Sequence, residues 1–500
     1  MKPIPAGTRR AWRALTRWLV IPAVVISLAA GLGSVVPASQ AAADVAKVGA
    51  PRAASARLGS PVTVYVANGG SDTVTPIQTV INAPGAPITA GGQPFAIAIT
   101  PDGKTVYVTN SVSGTVTPID TATNTPGAPI TVGSEPFALA ITPDGKTAYV
   151  ANYLSGTVTP IDTATNTPGA PITVGSEPDL IAITPDGKTA YVENTGSDSL
   201  TPIQTATNTP GPPIPAGGQP STIAITPDGT TDYVANIVGG TVTPIQTATN
   251  TPGASIPVGN NPDSLAITPD GKTVYVANAN YGCLVDPNCS GTVTPIDTAT
   301  NTAGTPITVG TYPRVIAITP DGKTAYVVNI DAGTVIPIAT ATNTAAAPIT
   351  VGSQPFAIAI TPDGKTAYVA NSLSGTVTPI DTATNTAGTP ITVGNRPDAI
   401  AITPTSIIHG PVFTSGTAAT AARGVAFTFT VTTTGSPPPR ITRTGRLPSG
   451  MRFADNRDGT ATISGTPEKA AAGVYPLTLR ARNKYGTATQ AFTLTITKAR

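Results

Sequence analysis

The chain has 500 residues, ample for two or more domains, and only 11% of them are charged. Its single histidine, His409, excludes most histidine-based catalysis and metal ligation. The net charge of +2 conceals a division: residues 61–404 carry 8 basic and 22 acidic groups, whereas residues 405–500 carry 12 and 3. Such asymmetry points to separate surfaces or partners.

Residues 1–43 have the three-part layout of a secretory signal peptide. Lys2, Arg9, Arg10, Arg13 and Arg17 precede an apolar run from Trp18 to Val36, and small residues follow up to Ala41-Ala42-Ala43. Cleavage is expected after Ala43; the alternative is an uncleaved anchor, the one membrane attachment the sequence offers. Either way the basic end stays inside and the rest is exported, so the protein is expected to be secreted or at the cell surface. Residues 44–60 read as a linker.

From residue 61 to 404 one unit returns almost unchanged. Its tyrosine falls at Tyr65, Tyr107, Tyr149, Tyr191, Tyr233, Tyr275, Tyr326 and Tyr368, every 42 residues apart from one interval of 51. A fixed period of this size marks a repeat architecture. Gly and Pro, 103 residues together, recur at fixed offsets between short apolar runs, as turn residues do. Each unit holds four candidate strands, in the second copy Ile97–Thr100, Val106–Asn110, Gly114–Ile119 and Pro129–Val132. Their few polar residues imply sheets covered on both faces, which short antiparallel sheets achieve by stacking radially.

Pro101-Asp102-Gly103 supplies a tight hairpin turn between the first two strands. Thr121 to Asn124 turns from the third to the fourth, Asn tolerating a positive φ. Pro118 sits inside the third strand, so its nitrogen should face a short, irregular outer strand. The array begins at a second strand (Val62–Asn68) and ends on a lone first strand (Ile400–Thr403), so the last strand can complete the first sheet and protect its edge. The expected fold is all-β: an eight-bladed β-propeller of four-stranded blades closed by its terminal strands, with seven blades as the alternative. The pattern PxxIAITPDGKTAYVAN…SGTVTPIDTATNT…PITVG resembles the YVTN-family propeller repeats of bacterial and archaeal surface proteins. The proline in the third strand departs from that family, which usually has an aliphatic residue there.

Residues 405–409 link to a different module at 410–500. Ala426–Gly435, Val474–Asn483 and Ala491–Lys498 alternate apolar and polar residues between Gly- and Pro-rich turns, as in a β-sandwich. The run LPSGMRFADNRDGTATISGTP followed by AGVYPLTLRARNKYGTATQAFTLTIT resembles the Ig-like domains of secreted bacterial proteins, which implies an adhesion or spacer module. Its arginines would suit anionic wall polymers or phospholipid; the alternatives are a solvated surface or docking against its own acidic propeller. Leu447-Pro448-Ser449-Gly450 is not a sortase signal, being internal and without an apolar tail.

The repeated residues read as scaffold, and any specificity is expected where the copies disagree, at one end of the ring, with drift at solvent-exposed turns as the competing account. Candidates for that binding face are Phe95, Phe137, Tyr153, Asp179, Asp263, Tyr312, Arg314, Phe356 and Arg396. Glu193 and Asp232 stand where other copies have small or apolar residues; they read mainly as exposed strand-end charges, alternatively as half of a hydrolase or lyase site on neighbouring blades. Cys283 and Cys289, in the nine-residue insertion behind the long interval, are expected to form a disulfide. No catalytic residue, metal, cofactor or nucleic-acid partner is expected. The expectation is a monomeric, non-enzymatic surface protein binding a protein or cell-wall glycan, with a lactonase-like enzyme or a surface-layer component as alternatives.

Overall fold

The computed structural model describes residues 62–281, 290–404, 411–434, 438–457, 459–468, 470–483 and 486–498. The expected signal segment, the two expected linkers and the expected pairing of Cys283 with Cys289 lie outside the described residues. The chain divides into two compact units at Pro404.

In the first unit each repeat folds into one antiparallel sheet. In the second copy the strands are Pro94–Ile99, Thr105–Asn110 and Thr115–Asp120, followed by two outer pieces, Thr125–Pro126 and Ile130–Thr131. Among the described residues there are eight such sheets. We number them from the one holding Thr63–Asn68, whose first strand is Pro397–Ile402 from the far end of the repeat array. Val64 faces Ile402 and Val66 faces Ile400 across that junction. Successive first strands pack side by side, and Pro397–Ile402 packs in turn against Pro94–Ile99, so the series closes on itself.

Local chemistry accounts for each element. The turn at Pro101-Asp102-Gly103 closes with Gly103 N donating to Thr100 O at 2.8 Å, and Gly103 has φ +72°. Asp102 Oδ1 accepts from the Thr100 hydroxyl and the Lys104 amide, which fixes the hairpin. Pro118 lies opposite Tyr107 and cannot donate outward, so the outer strand splits in two around it. Gly127 N donates to Pro118 O at 2.7 Å in the gap between the pieces. The proline in the third strand therefore shortens the outer edge and leaves the three inner strands intact.

Neighbouring sheets share their cores. Tyr65, Ala67 and Val74 of the first sheet pack with Ile97, Val106, Val108 and Ile119 of the second, and the same mixture recurs around the series. Each repeated tyrosine donates its hydroxyl to an asparagine Oδ1 at 2.6 Å on the third-to-fourth turn of the next sheet. The last of these, Tyr368 to Asn82, ties the eighth sheet to the first. Those asparagines have φ between +49° and +57°, so one residue type both makes the turn and accepts the bond. Burial pushes the eight phenols up to about 12, so they stay donors at any ordinary pH. Each bond is worth about 1 kcal/mol, and the eight together hold the seams.

The second unit is a sandwich of two four-stranded sheets. One runs Val412–Phe413, Phe427–Thr434, Thr460–Gly465, Met451–Asp455; the other runs Ala418–Ala422, Gly486–Thr497, Gly473–Asn483, Arg440–Thr444. Alternation buries Val431, Ile441, Ile463, Leu477, Leu479, Phe492, Leu494 and Ile496 between them. Ala418–Ala422 pairs parallel with Gly486–Thr497, whereas the other described pairings are antiparallel.

Candidate functional site: the variable end of the ring

In every copy the chain enters its first strand through a residue in the left-handed region followed by proline. The residues are Gln93, Glu135, Glu177, Gln219, Asn261, Tyr312, Gln354 and Arg396, with φ between +49° and +57°. Only asparagine among these tolerates that conformation readily, so the framework holds the others there at a cost. Their carbonyls accept from the connection between second and third strands, as in Ser111 N to Gln93 O at 3.0 Å and Tyr153 N to Glu135 O at 2.9 Å. The two variable connections therefore meet at one end of the ring.

The residue after each proline forms a circle running Asp398, Phe95, Phe137, Asp179, Ser221, Asp263, Arg314 and Phe356. Here the structure corrects the expectation of an open face. Phe95, Asp179, Asp263, Tyr312, Arg314 and Phe356 are buried, while Phe137 and Tyr153 are half-buried. The cause is a bulge: pairing to the second strand shifts register between Pro94 and Ile97, and the shift recurs in the other sheets. Phe95 and Ala96 consequently both pack into the same intersheet cluster, against the strict alternation of a flat strand. Arg396, with its side chain 32% exposed, is the most accessible charged candidate.

Several members of the circle touch one another or the elements beside them. The rings of Phe95 and Phe137 lie 4.2 Å apart, with Tyr153 5.2 Å beyond. Asp179 Oδ2 accepts from the Thr195 hydroxyl at 2.6 Å, and Ser221 Oγ donates to Pro262 O at 2.8 Å. Arg314 Nε lies 4.0 Å from Asp263 Oδ2, and its guanidinium sits 4.1 Å over the Phe356 ring. Asp398 accepts from Arg396 Nε at 2.9 Å and from the Ser372 hydroxyl at 3.3 Å. Burial drives Asp179 up to about 7; its bond from Thr195 opposes this. Asp263 rises to about 6 because burial outweighs the opposing pull of the Arg314 guanidinium.

Glu193 and Asp232 overturn a second expectation: neither is an exposed strand-end charge, both being fully buried. Glu193 shares a strand face with Tyr191, which packs on Val234 and Ile245 of the fifth sheet; Asp232 shares its face with Val234. The two acids thus enter the same gap between the fourth and fifth sheets. Among the described residues none of their four oxygens has a hydrogen-bond partner. Burial, then Asp179, then Asp232 push the Glu193 carboxyl well above its usual range. Burial pushes Asp232 up to about 8. Among the described residues no group of three His, Cys, Asp or Glu is arranged to hold a metal ion.

Comparison with known proteins agrees with this geometry. Residues 13–147 match the family model of the YNCE-like beta-propeller, and residues 410–497 match He_PIG, described as "Putative Ig domain". Hydrazine synthase of Kuenenia stuttgartiensis is similar at 28% identity and TM-score 0.50, over 58% of this chain and 96% of that one. The dihydro-heme d1 dehydrogenase NirN is similar at 17% identity and TM-score 0.58, over 68% and 74%. AztD of Citrobacter koseri is similar at 12% identity and TM-score 0.53, over 68% and 97%. No curated protein matches the chain. The chain is a β-propeller followed by an Ig-like module.

The two ends of this propeller differ in chemistry. At one end the Pro-Asp-Gly-Lys turns carry lysines four-fifths exposed, each beside its own aspartate, as in Lys104–Asp102 at 2.8 Å and Lys188–Asp186 at 2.9 Å. At the variable end the turn tips expose Val112 (74%), Leu154 (59%), Val238 (70%) and Leu373 (70%). Aliphatic side chains at tight-turn tips, where polar residues are usual, stand out against the charged end. Sequence reasoning missed Val112, Thr195 and Tyr281. A usable signal was present: the copy that carries Asp179 also carries Glu193 and Thr195, so three departures fall in one repeat.

Proposed function

We propose that the protein is a secreted or cell-surface binding protein, without enzymatic activity, whose propeller engages a partner through the variable end. The observation that carries this reading is the crown of exposed Val112, Leu154, Val238 and Leu373 on an otherwise rigid frame. Beneath it the circle from Asp398 to Phe356 braces the turns, so the residues of that circle set the shape of the face without touching the partner. Aliphatic tips suit a protein partner better than a glycan, for which aromatic faces would be expected. The basic Ig-like module would hold the propeller near anionic wall material.

The test is capture from wall extracts and secreted proteins by the full chain, beside a variant with Leu154→Ser, Val238→Ser and Leu373→Ser. The variant should melt at the same temperature and lose its specific partner at least about tenfold, since each removed contact in an interface core costs about 1 kcal/mol or more. Equal capture by both proteins refutes the reading.

A second reading, a propeller hydrolase or lyase, has one observation in its favour. Five of the eight circle positions are polar, and Asp179, held at about 7, lies near enough to Glu193 to raise it further. Against it, these side chains are under one-tenth exposed. Turnover abolished by Asp179→Asn in a folded protein would favour this reading.

A further inference from the structure

One feature of the Ig-like module is unexplained by packing. In its second sheet the edge strand Arg440–Thr444 pairs with Gly473–Asn483 so that Arg440 faces Arg482, Thr442 faces Arg480 and Thr444 faces Thr478. Ile441, Leu479 and Ala481 point into the core. The alternation therefore places Arg440, Thr442, Arg480 and Arg482 together on the outer face, where all four are exposed.

Directly opposed residues have Cβ atoms about 5 Å apart, and like charges so placed are destabilising. Residues two apart on one strand lie about 7 Å from each other, so all three guanidinium groups share one small patch. Asp455 relieves one of them, its Oδ2 accepting from Arg440 Nε at 2.6 Å. Arg480 and Arg482 meet no carboxylate among the described residues. Together with Asn483 these side chains line a shallow cleft of about 460 Å³ on the module's surface.

We infer that this cleft is a binding site for an anionic polymer with phosphodiester groups at short, regular spacing. Arginine's planar fork binds phosphate oxygens in pairs, which lysine cannot do. Three guanidinium groups, a threonine hydroxyl and an asparagine amide suit one or two phosphates held in succession, and a bound anion would remove the repulsion between Arg440 and Arg482. This sharpens the role given above to the basic module, and rests on that part of the reading alone; the propeller's partner is not involved.

The test uses the full chain with poly(glycerol phosphate) as probe. Binding should fall about twentyfold between 50 and 200 mM salt, the dependence expected when some three phosphate charges are neutralised. Arg480→Gln with Arg482→Gln should weaken binding at least tenfold at 50 mM salt while leaving the melting temperature unchanged. A control pair, Arg452→Gln with Arg457→Gln, removes the same charge from the strand Met451–Asp455 of the other sheet and the turn that follows it, and should weaken binding less than threefold. Equal losses in the two pairs would mean that net charge binds the polymer and would overturn the site. Equal affinity for polyglutamate, or binding only to vesicles containing phosphatidylglycerol, would overturn the phosphodiester polymer as ligand. The triple serine variant of the propeller tips should bind the probe as the unaltered chain does, so failure of the propeller reading leaves this result standing.

Discussion

Asp232→Ala should stabilise the propeller at pH 8, by up to about 5 kcal/mol if its carboxyl moves from the usual range to about 8 on folding. Alanine fills the equivalent position at Ala148, Ala190, Ala325 and Ala367, fully buried each time. The sign follows from proton binding. Asp232 has a raised folded pKa, so between about pH 4 and pH 8 the folded chain holds a proton that the unfolded chain has released. Stability contributed in this way is complete below the unfolded value and is lost as pH rises through that window. Glu193 and Asp179 act in the same sense. Urea unfolding of the full chain, followed at pH 5 and pH 8, should show the unaltered protein weakening on the alkaline side and Asp232→Ala weakening less, with Glu193 and Asp179 carrying what remains. An identical pH dependence in the two proteins would mean that Asp232 is hydrated or paired in solution.

Arg314→Met should have the opposite effect, lowering stability by about 3 kcal/mol, the low end for breaking a buried pair. Arg314 and Asp263 have side chains 1% exposed, and the guanidinium is also spread over Phe356. Methionine keeps much of the volume but leaves Asp263 buried without its cation. The loss should therefore be larger at pH 8 than at pH 5, where the carboxyl can take up a proton. Asp263→Asn in the same chain should restore at least half of the lost stability. If Asp263→Asn adds to the damage, Arg314 is held by its packing on Phe356 and not by the acid.

Most of the architecture was legible because the repeat states it many times over. The Pro-Asp-Gly turn, the turn asparagine and the entry of the array at a second strand each carry a physical reason, and the pairing of Val64 with Ile402 follows from the last of these. Pro118 announced a broken outer strand, and Thr125–Pro126 and Ile130–Thr131 are its two pieces. The interior of the variable end was not legible in the same way. A period of two would place Phe95 and Ala96 on opposite sides, but the register shift after Pro94 puts them together, and no residue type in the sequence signals that bulge. Glu193 was misplaced for a different reason. Sheets covered on both faces leave no exposed side for a strand residue, so its burial followed from the fold already inferred; treating it as a strand-end charge set aside that consequence.

The Tyr-to-Asn bonds between sheets were also invisible beforehand. Tyrosine and asparagine each had an adequate local reason, one as a core residue and one as a turn residue, and nothing local links Tyr65 to Asn124. Repetition showed which residues belong to the frame, whereas the pairing between frames needed the third dimension.

The variable end is proposed here as the working face. Hydrogen–deuterium exchange of the full chain, with and without the partner it captures, tests this most directly. Slowed exchange is expected at the turns around Val112, Leu154, Val238 and Leu373, with no change at the Pro-Asp-Gly-Lys turns such as Pro101 to Lys104. Protection confined to the lysine-bearing turns, or to the outer strands, would contradict it.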